Sequence, residues 1–413
     1  QIMRDTTLYQ HLLGIEHPWT VSKVELDTEK QRVDVWVEHP KGLKWPCPMC
    51  GTEGSLHDHV QRRTWRHLDS CQFQTFLHAY PPRMKCPKHG VQQVALPWAE
   101  PRARFTLLFE RFAIEVLQQT SIQAARKILA ITWEEAWHLM ERAVKRGLGK
   151  KTEKNITHYG VDEKTAGHGQ DYVTIVCDLH EGIVEEVTEG NSKESFTNYL
   201  DQLTSEQINA IEAVSMDMSK AYIHAVLDRL PDGQDKIVFD RYHLMGHMGK
   251  AVDKVRKEEH ARLSKDGDSP LTGSKYIWLY SRENLPEKHW GQFYAMRACD
   301  LKTSRAWAIK ENLRNLWKYK RVVWAERFWK KWYFWATHSR LEPVKKAAKT
   351  FKEHLYGILN HARYPISNGM VEGINSKIET MWKAACGFRN KKRFRTAILF
   401  RFGGLDLFPA THT

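Results

Sequence analysis

Long apolar runs are missing from this 413-residue chain, and cysteine is scarce. No stretch of 18 apolar residues occurs, so the sequence does not predict a membrane-spanning helix. The first residues lack the charged-then-apolar pattern of a secretory signal. Seven cysteines in a chain of this kind do not suggest a disulfide framework. These absences predict a cytoplasmic protein that has no membrane partner.

Acidic residues are also too few to balance the basic ones. The chain has 63 Lys and Arg against 49 Asp and Glu, which gives a formal net charge of +14. A surplus of this size favours a polyanionic partner, and nucleic acid is the commonest one. A basic protein without such a partner is the alternative interpretation. The length suffices for several domains, each with its own core.

Two short motifs predict a metal site in a β-rich module over residues 1–100. The sequences CPMC at 47–50 and CPKH at 86–89 are each followed by a glycine, which lets the backbone turn around a metal. Zn²⁺ prefers four sulfur or nitrogen ligands in a tetrahedron. We therefore expect one structural Zn²⁺, and its four ligands are Cys47, Cys50, Cys86 and His89. Cys71, His57 and His59 lie between the motifs and are the alternative ligands.

Three helical patterns occur, over 102–119, from Thr120 to Leu129 and from Thr132 to Lys145. Together they predict a helix-turn-helix domain at residues 101–150. Thr120 with Gln123, and Thr132 with Glu135, have the spacing of capping boxes. An ordinary three-helix bundle is the alternative. The basic residues expected to contact DNA on the last helix are Arg142, Lys145 and Arg146. A linker rich in Gly and Lys is expected over 147–154.

Residues 159–243 have the element order of an RNase H-like fold, with three meander strands followed by two strands reached through helices. The first and fourth strands of such a mixed sheet are neighbours, which would bring Asp162 and Asp217 together. A third acid, Glu372, is expected one turn inside a later helix. Asp240 and His243 follow the fifth strand, and Asp240 is an alternative to Asp217 as the second catalytic acid.

The rest of the chain is expected to form a catalytic core with a helical insertion. The α/β catalytic core would comprise residues 151–244 and 365–413, and residues 245–364 would form an all-α insertion rich in Trp, Lys and Arg. Most insertion tryptophans are expected in the core, although one could stack on an unpaired DNA base. Phosphate contacts beside the active site are expected from the basic residues Arg389, Lys391, Lys392, Arg393 and Arg395.

Clustered carboxylates repel a phosphodiester, so they act on one only by holding metal ions. Hard oxygen ligands suit Mg²⁺ or Mn²⁺. Two such ions can activate the attacking oxygen and stabilise the leaving one. We therefore expect a site for two Mg²⁺ or Mn²⁺ ions.

Four segments resemble the signatures of bacterial DDE insertion-sequence transposases, in particular the ISL3 family. They are GVDE at 160–163, VSMDMSKAY at 214–222, VFDRYH at 238–243 and SNGMVEGINSKI at 367–378. The resemblance implies cleavage and 3′-OH strand transfer at transposon ends, with Mg²⁺ held by Asp162, Asp217 and Glu372. It also implies recognition of terminal inverted repeats and of target DNA, both double-stranded. Handling two ends together implies a homodimer or larger assembly, associated with the bacterial nucleoid.

Two rival functions stay open at this point. An RNase H-like nuclease would hydrolyse nucleic acid without joining it to a target. A transposase-derived repressor would use only the N-terminal DNA-binding modules. Transfer of a labelled end into a plasmid distinguishes the first rival from a transposase, and metal-dependent nicking excludes the second.

Overall fold

The computed structural model describes residues 4–167, 171–265, 267 and 269–410. The chain divides into two compact units, Gln1–Lys151 with Leu405–Thr413, and Thr152–Gly404. Among the described residues, no helix combines the length and the hydropathy that a membrane span requires.

The N-terminal unit begins with a helix and two small β-sheets. Its first elements are α1 (Asp5–Leu12), β1 (Thr20–Asp27), β2 (Arg32–Glu38), β3 (Lys44–Pro46), β4 (Glu53–His59), β5 (Arg63–Arg66), β6 (Gln74–Ala79), β7 (Pro82–Cys86) and β8 (Gly90–Gln93). The strand orders are β1-β2-β6-β5 and β3-β4-β7-β8. Alternating side chains of β2 are buried, including Val33, Val35 and Val37, so one face of its sheet packs into a core.

Three helices follow: α2 (Leu107–Gln119), α3 (Ile122–Leu129) and α4 (Trp133–Lys150). The capping box predicted at Thr132 and Glu135 is present. The start predicted for α2 at residue 102 is wrong, because Phe105 forms a bridge with Arg66 and Thr106 caps the helix. The predicted Thr120 cap is also wrong, since the Ser121 hydroxyl accepts from the Ala124 N–H.

The predicted linker at 147–154 is wrong in its first half, because α4 continues to Lys150. Residues 405–410 pack along this part of α4. A Cβ added to Gly147 would lie 2.7 Å from the Leu405 Cβ, so only glycine admits this contact. Lys150 Nζ lies 2.8 Å from an Asp406 carboxylate oxygen. The C-terminal residues thus complete the N-terminal unit.

The second unit contains a five-stranded sheet. Its first elements are β9 (His158–Thr165), β10 (Tyr172–Asp178), β11 (Ile183–Glu189), α5 (Lys193–Leu200), α6 (Ser205–Ala210), β12 (Ala213–Met216), α7 (Lys220–Arg229), α8 (Gly233–Lys236) and β13 (Ile237–Phe239). The strand order is β11-β10-β9-β12-β13. β9, β10 and β11 pair antiparallel, whereas β12 pairs parallel to both β9 and β13. The predicted α/β class with a mixed, RNase H-like sheet is confirmed.

The remaining elements of this unit are helical. They are α9 (Arg241–Leu263), α10 (Lys275–Leu279), α11 (Trp290–Ala298), α12 (Lys302–Leu313), α13 (Val322–Thr337), α14 (Glu342–Glu353), α15 (Leu355–Asn360), α16 (Gly369–Ala384) and α17 (Lys391–Phe402), with 3₁₀ turns at Glu287–His289 and Arg314–Lys318. The all-α character predicted between the two parts of the core is confirmed. Its buried residues join the core beside the sheet, as Trp278, Trp332 and Phe351 do.

The two faces of the sheet carry different helices. The Tyr159 and Tyr199 hydroxyls are 3.1 Å apart, so α5 packs on the face to which Tyr159 points. The neighbouring residue Gly160 faces the other way, because successive strand residues alternate between faces. A Cβ on Gly160 would lie 2.4 Å from the Val371 side chain, which places α16 on the second face. Asp162 shares that face with Gly160.

Candidate active site and metal centres

Strand register aligns two of the predicted acids. β12 pairs with β9 so that Ser215 lies opposite Gly160. The same register, continued by two residues, brings Asp217 level with Asp162. Level positions on neighbouring strands point to the same face, so both carboxylates lie on the α16 side of the sheet. The predicted adjacency of Asp162 and Asp217 is present in the structure.

Asp240 is level with Asp217 on the next strand, because Met216 pairs with Phe239. Its carboxylate is only 3% exposed and is already engaged. One oxygen accepts from the Tyr242 and His243 N–H groups at 2.8 and 3.2 Å and so caps α9. The other accepts from the Asn368 N–H at 3.0 Å. Asp240 therefore holds the start of α9 and the start of α16 together.

Glu372 lies in the first turn of α16, as predicted. Two asparagines on the same helix join it to the central strand β9. Asn368 Nδ2 donates to the Val161 carbonyl oxygen at 3.3 Å, and Asn375 Nδ2 donates to an Asp162 carboxylate oxygen at 2.8 Å. Among the described residues, the buried Glu372 Oε1 has no hydrogen-bond partner. An unpaired buried carboxylate oxygen is costly, and a cation would satisfy it.

The electrostatics also indicate a cation site. Burial raises the pKa of Asp162, and the Asp217 carboxylate adds to the rise, while the Glu163 N–H and His243 oppose it. Burial likewise raises the pKa of Glu372, with further contributions from Asp240 and Asp162. A bound cation would favour the ionised forms of carboxylates that are buried close to one another. The donor set, carboxylate oxygens with one imidazole, fits a hard divalent cation.

One group of side chains close enough together to bind a metal ion differs from the predicted ligand set. Ligand atoms of Asp240, His243 and Glu372 all lie within 4.8 Å of one another. Asp162 and Asp217 lie outside this set, although the pKa of Asp162 responds to Asp217 and to His243. The structure therefore brings the three predicted acids and both auxiliary residues into one neighbourhood on the α16 face.

The N-terminal cluster fits zinc in chemistry and in dimension. Cys47, Cys50, Cys86 and His89 are grouped, as predicted. Three of the separations between their sulfur and nitrogen atoms are each 3.7 Å. Tetrahedral zinc bonds of about 2.0–2.3 Å place neighbouring ligand atoms about 3.5–3.8 Å apart.

Local hydrogen bonds and tight turns favour metal binding by the thiols of this cluster. Hydrogen bonds from the Thr52 hydroxyl and backbone lower the pKa of Cys50 to about 6. Gly51 and Gly90 take positive φ angles of 73° and 67° at the two turns. The alternative ligands are not part of the cluster. His59 Nε2 lies 2.9 Å from His39 Nε2 instead, and Cys71 is exposed.

Two of the arginines predicted to contact DNA from α4 form ion pairs within the unit. Arg146 lies 2.8 Å from a Glu100 carboxylate oxygen and 2.7 Å from one of Glu110. Arg142 contacts the same two acids, at 2.6 and 3.5 Å. Glu110 is buried, whereas Glu100, Arg142 and Arg146 are partly buried. Lys145 is exposed on α4 and stays a candidate for DNA contact.

The basic residues around α17 also differ in their surroundings. Lys391 Nζ lies 2.6 Å from an Asp171 carboxylate oxygen, and Arg395 makes a two-point contact with Glu186 at 2.7 and 2.9 Å. Arg393 is partly buried, whereas Arg389 and Lys392 are exposed. The exposed pair is the better candidate for phosphate contact, because ion-paired side chains must first leave their partners.

Glu372 was predicted from the sequence, but several residues that arrange the site were not. Gly160 admits α16 against β9, and the Asn368 backbone N–H joins that helix to Asp240. A glycine immediately before a catalytic strand segment was the available signal for close packing. Glu100 and Glu110 lie too far from α4 in sequence for any local pattern to pair them with Arg146.

Three family models match the chain in successive regions. A transposase model of the ISL3 family, with the DDE designation, matches residues 159–398. A model described as the helix-turn-helix domain of transposase family ISL3 matches residues 94–144. A model described as the zinc-finger of transposases IS204, IS1001, IS1096 and IS1165 matches residues 44–89. These regions contain the candidate active site, α2 to α4 and the zinc cluster, respectively.

Curated relatives are similar along their whole length. The transposase for insertion sequence element IS1001 of Bordetella parapertussis is 26% identical over 407 residues, covering 97% of this chain and 99% of that protein. The transposase for insertion sequence element IS1557 of Mycobacterium tuberculosis is 25% identical over 441 residues, covering 99% and 98%. With a transposase model matching more than half of its length, this chain belongs to the ISL3 family of DNA transposases.

Proposed function

We propose that the protein cuts DNA at the ends of an insertion sequence and joins the freed 3′-OH to target DNA. The observation that supports this most directly is the alignment of Asp162 and Asp217 on adjacent parallel strands, beneath the helix that carries Glu372. Divalent cations, Mg²⁺ in the expected case, would polarise the phosphate and activate the attacking oxygen when bound. Asp162, Asp217 and Glu372 would hold them.

The chain's own groups have separate tasks in this proposal. Asn375 fixes the orientation of the Asp162 carboxylate through its hydrogen bond. Asn368 fixes the beginning of α16 against β9, and Glu372 lies one turn further along. With the acids held in place before DNA arrives, little reorganisation is needed when the phosphodiester reacts.

We infer that Asp217, rather than Asp240, supplies the second acid. The Asp217 carboxylate accepts one N–H, from Ser219, and is partly exposed. The Asp240 carboxylate accepts three N–H groups and is buried. A carboxylate with fewer protein partners is freer to coordinate a cation that also binds DNA. Asp240 and His243 then support Glu372, and their clustering with it favours a direct metal contact as the second possibility.

DNA recognition would be divided between the units. The helix-turn-helix over α2 to α4 would bind the terminal inverted repeats, with Lys145 as one contact. Arg389 and Lys392 would contact phosphates beside the active site, with Lys391, Arg393 and Arg395 as further candidates. Two ends must be processed together, so the working form would be a homodimer or larger assembly on DNA.

The test uses the zinc-loaded full chain and a duplex carrying a transposon end. Asp162→Asn should abolish Mg²⁺-dependent nicking and joining while leaving end binding within about twofold, because the change alters metal binding alone. Glu163→Gln, on the adjacent exposed residue, is the matched control and should retain activity.

Nicking by Asp162→Asn at the normal rate would refute the assigned site. Nicking without transfer of the labelled end to a plasmid, in the wild-type protein, would favour a nuclease. Binding without any metal-dependent chemistry would favour a repressor.

A further inference from the structure

Helix α13 in the insertion has one face in the core. Ala325, Trp329, Trp332 and Ala336 are buried, and the Trp332 indole N–H donates to the Ile309 carbonyl oxygen at 2.9 Å. Trp307 and the partly buried Trp317 also pack into this core. Trp317 belongs to the 3₁₀ turn before α13. Core packing therefore accounts for these tryptophans, but not for every tryptophan of α13.

Outside this buried face, α13 exposes large apolar side chains. Trp324 is 50% exposed, Trp335 is 38%, Phe334 is 63% and Val323 is 58%. At about 100° per residue, Trp324 and Trp335 point in nearly the same direction. They are eleven positions apart, which corresponds to about 16 Å along the helix axis. Two indole rings thus lie on one line along the solvent-facing side.

Positive charge lies between and beside these rings. The Arg327 guanidinium lies over the Trp324 ring, 4.7 Å from its centroid, and Lys331 is exposed one turn further on. Lys320 and Arg321 are exposed immediately before the helix. The acid on this helix, Glu326, pairs with Lys330 at 2.9 Å. A surface that interleaves aromatic rings with cations is complementary to a strand of nucleic acid, whose phosphates alternate with flat bases.

We propose that the exposed face of α13 binds unpaired DNA, with Trp324 and Trp335 stacking on bases and with Arg327 and Lys331 contacting the phosphates between them. This inference rests on the proposed action at DNA ends, which supplies strands that are no longer paired. A duplex hides its base faces inside the helix, so exposed indoles gain stacking only from an unpaired strand. At about 3.4 Å per nucleotide, the span between the rings corresponds to about five stacked nucleotides.

The experiment compares a blunt duplex with the same duplex carrying a five-nucleotide single-stranded tail that contains 2-aminopurine. The full chain, loaded with zinc and without added Mg²⁺, is titrated into each. Binding of the tail should quench the 2-aminopurine. Trp324→Ala should weaken tailed-duplex binding about tenfold and remove the quench, since one stacked base contributes roughly that factor. Blunt-duplex binding should change less than twofold, and Trp324→Phe should keep most of the affinity.

Tyr276→Ala is the matched control, because Tyr276 is an exposed aromatic residue on another helix of the insertion. It should leave tail binding unchanged. Arg327→Ala and Lys331→Ala test the same face without altering a ring, and each should reduce the dependence of tail affinity on salt.

Equal losses on blunt and tailed DNA, or no loss on either, would overturn the proposal. So would a change of sedimentation in Trp324→Ala with normal DNA binding, which would identify the face as a protein interface. The assay requires no cleavage. If Asp162→Asn nicks DNA normally while tail binding behaves as described, the catalytic assignment alone fails.

Discussion

Asp217 and Asp240 each follow the end of a strand, but their surroundings differ. Asp240 is buried and accepts three backbone N–H groups, whereas Asp217 is partly exposed and accepts one. Asp240→Asn removes the charge and one acceptor, so the free energy of unfolding should fall by about 2–3 kcal/mol. Asp217→Asn should leave stability within about 0.5 kcal/mol of the wild type. Denaturant unfolding measures both values.

Activity provides the complementary measurement for these residues. A thiolate ligand favours softer metals than Mg²⁺. In Asp217→Cys, nicking should therefore fail with Mg²⁺ and partly return with Mn²⁺. The same rescue in Asp240→Cys instead would show that Asp240 is the metal-binding acid.

His67 makes the stability of the N-terminal unit sensitive to acid. Burial, together with the charge of the neighbouring Arg66, lowers the pKa of this imidazole to about 4. The unfolded chain takes up a proton near pH 6.5 and the native unit does not, so stability falls as the pH drops from 6.5 toward 4. The loss should be on the order of 2–3 kcal/mol at pH 4.5.

His67→Asn removes that proton uptake, although it also costs stability at neutral pH. Denaturant unfolding at pH 7 and at pH 4.5 should therefore show a smaller acid loss in the variant than in the wild type. Protonation of the zinc ligands affects both proteins alike. Equal losses would contradict the assignment of the effect to His67.

At the scale of elements, the contact of α16 with β9 depends on one missing side chain. A Cβ at residue 160 would lie 2.4 Å from Val371 and 2.7 Å from Leu179. Gly160→Ala should therefore push α16 outward and lower the free energy of unfolding by about 1–3 kcal/mol. Glu372 moves with the helix, so nicking should fall more than stability alone explains.

Gly246→Ala is the control for this substitution. Gly246 lies within α9 with nothing near its added Cβ, and alanine should raise stability by about 0.5–1 kcal/mol. Thermal unfolding of the two variants gives the comparison. Equal stability of the Gly160 variant and the wild type would mean that α16 adjusts without strain.

Some elements could be derived from the sequence because their signals are local or follow from topology. The Thr132 cap needs only Glu135, and the adjacency of β9 and β12 follows from the order of strands and helices. The start of α2 could not be predicted in the same way. Phe105 is held by Arg66, a residue far back in the chain whose pairing no local pattern contains.

The sequence also did not determine which side chains are buried or ion-paired. Arg142 and Arg146 have the spacing of DNA contacts on a helix, yet they form ion pairs with Glu100 and Glu110 of the same unit. The tryptophans of α13 all fit a helical pattern, and only packing separates the buried Trp332 from the exposed Trp324. Burial depends on distant elements, so the pattern alone could not assign either set.

At the scale of the whole molecule, the two units should respond differently to loss of zinc. Cys86→Ser removes one of four ligands, so the chain should lose its bound zinc, and the strands β3, β4, β7 and β8 should become sensitive to protease. The unit at 152–404 should keep its thermal transition. Cys71→Ser, at an exposed cysteine outside the cluster, should retain zinc. Metal analysis and limited proteolysis measure these outcomes, and retained zinc in Cys86→Ser would contradict the ligand set.

Residues 405–410 cover the C-terminal half of α4, although 152–404 lie between them in the chain. The helix-turn-helix is translated before residues 405–410. The hydrogen bonds of Arg146 with Leu407 and of Lys150 with Asp406 therefore form only after the rest of the chain has been made. Of the two units, the one that is translated first is thus completed last. A prematurely terminated polypeptide would have incomplete recognition helices, which limits how well such fragments could bind DNA in place of intact enzyme.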